Sequence, residues 1–185
     1  MNDDDIKGRN LILRGNFPAD WKNSWTHNNV GNAVIQQDET VGNYLAMNNS
    51  AKVEQKIDTV TFSEPQMTGV AYRIAFMYEN YLDGDNSKVV VITSKGKEFP
   101  IDLSGKIADQ PLADWNQYDP NHLDVFEAGD TDFTVQLHGS SKAGTAALRM
   151  VNVEVDVKLV PLVLKAIQLD GKVYEPQSLR VLSSS

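Results

Sequence analysis

Residues 70–79 read Val-Ala-Tyr-Arg-Ile-Ala-Phe-Met-Tyr-Glu. In an extended chain Tyr72, Ile74, Phe76 and Tyr78 share one side, and Arg73, Ala75, Met77 and Glu79 share the other. Side chains alternate across a strand, so a bulky apolar row opposite a mixed one marks the core side of a β-sheet. A helix would need apolar spacings of three and four, and no such stripe is sustained anywhere in the chain.

The same period of two recurs on both sides of this stretch. Downstream, Asp83-Gly84-Asp85-Asn86 reads as a hairpin loop leading into a valine- and isoleucine-rich strand at 88–93. A turn at 94–97 precedes a strand at 98–103. Residues 122–126 are strand-like, and residues 132–138 set Phe133, Val135 and Leu137 against Thr134, Gln136 and His138. After small residues at 139–144, a strand over 146–159 alternates Leu148, Met150, Asn152 and Glu154 with Arg149, Val151, Val153 and Val155. Upstream, residues 52–60 place Val53, Gln55 and Ile57 opposite Glu54, Lys56 and Asp58, and shorter strands read at 11–13, 30–37 and 43–47. Residues 104–121, with Pro111, Pro120, Trp115 and Tyr118, read as irregular. Roughly nine short strands separated by turn signals predict an all-β, antiparallel β-sandwich or barrel.

A length of 185 residues allows one domain, or one domain with an appendage. The reading divides the chain into a flexible N-terminus (1–9), a β-sandwich (10–158) and a C-terminal piece (159–185). That last piece carries a hairpin signal at Asp170-Gly171 and a strand-like stretch at 178–182; it is either a hairpin docked on the sandwich or the start of a second β domain. Met1-Asn2-Asp3-Asp4-Asp5 has neither the basic start nor the apolar stretch of a secretory leader. The chain is then exported without a cleaved leader, cut from a longer protein, or retained inside.

Lysine and arginine number 17 against 25 aspartate and glutamate, a net charge of −8, which argues against a nucleic-acid or anionic-membrane partner. No apolar run approaches the roughly 20 residues of a spanning helix, so no membrane insertion is expected. With no cysteine, disulfides, thiolate zinc sites and cysteine nucleophiles are excluded. His27, His122 and His138 show no metal-ligand spacing, and no G-x-S-x-G elbow is present. The Asp83-x-Asp85 loop lacks the bidentate glutamate of a calcium loop. The expectation is a protein with no catalytic residues and no required cofactor.

Asn10-Leu11-Ile12-Leu13-Arg14-Gly15-Asn16-Phe17, followed by Trp21 and Trp25, resembles the entry of galactose-binding-like jelly-roll domains. That group includes the carbohydrate-binding modules attached to xylanases and glucanases. Further segments match its pattern in order: Tyr44-Leu45-Ala46-Met47, Val53-Glu54-Gln55-Lys56-Ile57, Ala71-Tyr72-Arg73-Ile74-Ala75-Phe76 and Val151-Asn152-Val153-Glu154-Val155. The resemblance spans residues 8–158. It implies a jelly-roll sandwich that binds a glycan without catalysis, extracellular or at a bacterial cell surface as part of a larger protein. The alternative is a structural or adhesive module of a bacterial surface protein or toxin whose contacts are neighbouring domains. The family often holds a structural calcium on acidic and carbonyl groups. Arg14, Pro18 and Val151 depart from that pattern, leaving Asn16, Asp20 and Asn152 as the side chains the resemblance implies for a metal.

Sugars are held by aromatic rings stacked on their apolar faces and by planar polar groups that meet hydroxyls in pairs. The candidates are Trp25 and His27 in an asparagine-rich loop, Arg73 and Glu79 opposite the Tyr72 row, and Trp115 and Tyr118 in the irregular segment. Gln55 joins them because the family often has a glutamine in that strand. Each also has a structural reading. Trp21 reads as a core plug, Trp115 and Tyr118 suit the cover of an open sheet end better than a binding platform, Arg73 and Glu79 fit a solvated face, and Gln55 fits a buried hydrogen-bonding role.

Overall fold

A computed structural model describes residues 10–28, 32–58, 68–80, 86–103, 115–118, 132–141, 148–161, 167–169 and 172–174. The strands are β1 (Thr26–His27), β2 (Ala33–Asp38), β3 (Gly42–Met47), β4 (Lys52–Asp58), β5 (Thr68–Asn80), β6 (Lys88–Thr93), β7 (Glu98–Asp102), β8 (Asn116–Tyr118), β9 (Asp132–His138), β10 (Leu148–Pro161), β11 (Ile167–Leu169) and β12 (Lys172–Tyr174). The first sheet has the order β1-β4-β9-β6-β7 and the second β2-β3-β10-β5-β8, each five-stranded and antiparallel throughout. β11 and β12 pair in a two-stranded sheet of their own. Among the described residues there is no α-helix; a 3-10 turn spans Trp21–Asn23. None of their helices is long and apolar enough to cross a membrane.

The alternation read from the sequence becomes the layer between the sheets. Tyr72, Ile74, Phe76 and Tyr78 of the second sheet are buried with Val53, Ile57, Val89, Val91, Phe133, Val135 and Leu137 of the first. Tyr72 meets Phe133 across the layer, edge-on at 5.2 Å. Each such side chain taken fully out of water contributes roughly 1.5–3 kcal/mol before chain entropy is counted.

Four sequence expectations change. Residues 11–13 form no strand; their backbone groups bond to side chains instead of a full ladder. The irregular stretch contains β8, and the loop holding His27 contains β1, two elements too short to show a period. β10 is not one uninterrupted alternation. Its pairing with β5 shifts between Val151 and Glu154, and Asn152 takes a left-handed φ of 53°, a conformation asparagine tolerates better than most residues. Leu148 and Met150 face the core before this bulge, and Val153 and Val155 face it afterwards. The expected strands at 122–126 and 178–182, residues 83–85 of the hairpin loop and residues 1–9 lie outside the described residues.

The bulge is where the N-terminal segment docks. Val153 N–H donates to the Gly15 carbonyl at 3.0 Å, and Leu11 N–H donates to the Val155 carbonyl at 2.8 Å. The Asn10 side-chain oxygen accepts from both Ile12 N–H (2.9 Å) and Val155 N–H (3.0 Å). A Cβ on Gly15 would lie 1.9 Å from the Val153 carbonyl oxygen. Gly15→Ala must therefore push this segment off β10, and should cost at least about 2 kcal/mol in urea denaturation. An unchanged midpoint would show that the segment is not seated against the bulge.

Candidate functional site

The structure takes most of the expected binding residues out of play, each for a definite reason. Trp25 is 2% exposed; its ring lies 5.5 Å from Phe17, and its indole N–H donates to the Arg14 carbonyl at 3.4 Å. It plugs the core beside Trp21 and has no free face. Tyr118 points inward and stacks on Phe76 at 4.8 Å, where burial raises its pKa. Gln55 is 6% exposed and both ends of its amide are engaged: Nε2 donates to the Leu13 carbonyl at 3.0 Å, and Oε1 accepts from Leu13 N–H at 2.8 Å. One side chain of the first sheet thus replaces a strand partner for the N-terminal segment.

Arg73 and Glu79 do lie on the outer face of the second sheet, but as halves of ion pairs. Arg73 pairs with Asp156 of β10. Glu79, 1% exposed, pairs with Arg149 at 3.3 Å. The Arg149 guanidinium sits 5.1 Å over the Tyr44 ring, and Trp115 packs edge-on to that ring at 5.6 Å. Tyr44, Ala46 and Val151 are buried there with Val41, Met77 and Trp115 against them, so this face carries a small apolar cluster of its own.

Of the implied calcium ligands Asn16, Asp20 and Asn152, the last two are engaged otherwise. The Arg14 guanidinium meets the Asp20 carboxylate at 2.9 Å and donates to the Ser24 hydroxyl at 2.7 Å. The hydrogen bond that Arg14 Nε donates to Asp20 Oδ2 at 3.0 Å is the main cause of a lowered Asp20 pKa. A divalent ion on Asp20 would sit beside a fixed positive charge. The Asn152 amide instead faces the Met77 sulfur at 3.9 Å. Among the described residues no group of three or more histidine, aspartate or glutamate side chains is placed to hold a metal.

The open polar surface is on the other sheet. Because Phe133, Val135 and Leu137 are buried, Thr134, Gln136 and His138 stand on the outer face of β9, the central strand of the first sheet. Register aligns Lys52, His138, Lys88 and Asp102 in one row, and Thr26, Glu54, Gln136, Val90 and Pro100 in the next. A chain of bonds links the rows. The Lys52 ammonium lies 3.0 Å from Glu54 Oε2, Gln136 Nε2 donates to the same oxygen at 2.8 Å, and His138 Nε2 donates to Gln136 Oε1 at 2.9 Å.

Two depressions flank this chain. One of about 430 Å3 is lined by residues including Ser50, Asn86, Lys88, Pro100, Asp102 and His138. The other, about 180 Å3, is lined by Thr26, His27, Asn28, Lys52 and Glu54. His27 is the one residue from the sequence reading that borders this trough. Its Nδ1 is buried without a hydrogen-bond partner among the described residues. Burial, then Lys88 and Lys52, lower the His138 pKa, against smaller opposing effects of Glu54 and Glu98. Gln136 and His138 were visible as the wet side of an alternating strand, but nothing local in the sequence set Lys52 and Lys88 beside them.

No protein-family pattern matches the sequence, and no curated protein does. Solved structures do. The enzymatically active domain of tailspike protein 4 from bacteriophage CBA120 superposes with a TM-score of 0.53 at 12% identity, over 80% of this chain and 21% of that one. The chain thus spans about a fifth of that tailspike chain. TmCBM61, solved in complex with β-1,4-galactotriose, gives 0.48 at 14% identity over 84% of this chain and 100% of that one. The family 35 carbohydrate-binding module from Clostridium thermocellum gives 0.38 at 15% identity, over 75% and 93%. The likeness is one of fold: this chain is a jelly-roll β-sandwich of two five-stranded antiparallel sheets.

Since the Gln55 amide is structural, Gln55→Leu should leave the Leu13 N–H and carbonyl unpaired and lower stability by about 2–3 kcal/mol in urea denaturation. An unchanged stability would return Gln55 to the list of binding residues.

Proposed function

We propose that this chain is a non-catalytic carbohydrate-binding module whose ligand lies in the trough on the outer face of the first sheet. The observation that carries this reading is the bonded chain Lys52–Glu54–Gln136–His138 between two open depressions. Sugar hydroxyls both donate and accept. Amide, imidazole, carboxylate and ammonium groups held in fixed directions meet that need in pairs. Their mutual hydrogen bonds hold them in place before a ligand arrives, which reduces the ordering cost of binding.

The jelly-roll fold supports the reading. An open trough suits holding a chain more than sequestering a reaction from water. A shallow, wet surface gives modest affinity per site, and display in a larger extracellular protein would raise it by multivalency.

A glycan array followed by calorimetry tests the reading. Gln136→Ala and Glu54→Ala should each weaken binding at least about tenfold, while Val34→Ser, an exposed position on the second sheet, should leave it unchanged. Failure to bind any glycan, or binding indifferent to both trough variants, would overturn the proposal.

A further inference from the structure

We propose that the glycan held in this trough carries a carboxylate, as a uronic acid does, and that the carboxylate seats between the Lys88 ammonium and the His138 ring. The inference rests on reading the trough as a glycan site and names the class of sugar it takes.

It comes from the register of the three central strands. Lys52 on β4 and Lys88 on β6 each stand directly opposite His138 on β9, one on either side. Directly opposed side chains of an antiparallel pair have Cβ atoms about 4.5–5.5 Å apart, and like charges placed so are unfavourable. Lys52 is compensated by Glu54 at 3.0 Å. The Lys88 ammonium has no hydrogen-bond or ion-pair acceptor among the described residues, although it lines the larger depression beside His138. Lys88 thus has Asp102 opposite it on β7 but makes no direct ion pair among the described residues, and its surroundings disfavour the charged form of the neighbouring imidazole.

An anion resolves both. A carboxylate at this point accepts a hydrogen bond from Lys88 and favours a second from a protonated His138; a neutral hydroxyl can accept from either but brings no negative charge to offset them. The charged groups facing His138 are Lys52 and Glu54 from β4, Lys88 from β6, and Glu98 and Asp102 from β7. Glu54 and Asp102 bracket the two lysines, so the row suits a single carboxylate rather than a densely charged polymer. With a net charge of −8 the chain as a whole repels anions, so the preference is local to this row.

The test titrates the full chain with oligomers of galacturonate, glucuronate and mannuronate, each beside its methyl ester, and with dextran sulfate, at pH 5.5 and 7.5. At least one uronate oligomer should bind about tenfold tighter than its ester, more so at pH 5.5, because binding draws a proton onto a histidine that otherwise resists it. Lys88→Met should abolish the acid-over-ester preference. His138→Gln should retain part of it and flatten its pH dependence. Thermal melts of both variants check folding at these solvent-facing positions. Equal affinity for every acid and its ester, or equally tight binding of dextran sulfate, would overturn the carboxylate proposal while leaving the glycan reading intact. Binding confined to neutral glycans would do the same. Absence of binding to any glycan would remove the glycan reading itself.

Discussion

The packing of Phe133, Val135 and Leu137 into the space between the sheets is the constraint from which the rest follows. These residues sit on the central strand of the first sheet, between β4 and β6, and are buried against the second sheet. A strand has only two faces, so burying one fixes what the other presents: Thr134, Gln136 and His138. A slip of one residue would put the apolar set in water and the polar set in the core, which the burial energy forbids. The trough is thus the reverse side of the core.

The two outer faces differ in how their charges are satisfied. On the second sheet, Arg73 with Asp156 and Arg149 with Glu79 are intramolecular pairs, and Tyr44, Val151 and Trp115 cover part of the surface with apolar contacts. A ligand there would have to compete with bonds already made. On the first sheet the polar groups form an oriented chain with open space at both ends. Similar residue types therefore form closed ion pairs on one face and an open polar surface on the other.

The sandwich was legible wherever a local period of two governs a strand. Residues 70–79, 88–93 and 132–138 declared both their extent and their buried face, because alternation is a property of neighbouring residues. The phase reversal in β10 was not legible. Val151, Val153 and Val155 look like one apolar row, yet the left-handed Asn152 puts Val151 on the outer cluster and the other two in the core. The ladder role of Gln55 was equally hidden, since its partner Leu13 is 42 residues away. Of the expected site, His27 borders the trough, whereas Trp25 and Tyr118 show why aromatic rings alone mislead: in a sandwich of this size most rings are needed for the core. Glu54 and Gln136 bond across 82 residues, and Lys52 and Lys88 reach His138 through strand pairing that no local pattern encodes.

The most direct measurement is an NMR titration of the labelled chain with a glycan that binds it, following the side-chain amide of Gln136, the ring of His138, and the indole of Trp115. Shifts concentrated on Gln136, His138 and their neighbours on β4 and β6, with Trp115 and Arg73 silent, are the predicted result. Shifts centred on Trp115 and Arg73, with the β9 residues silent, would place recognition on the opposite sheet and contradict the account.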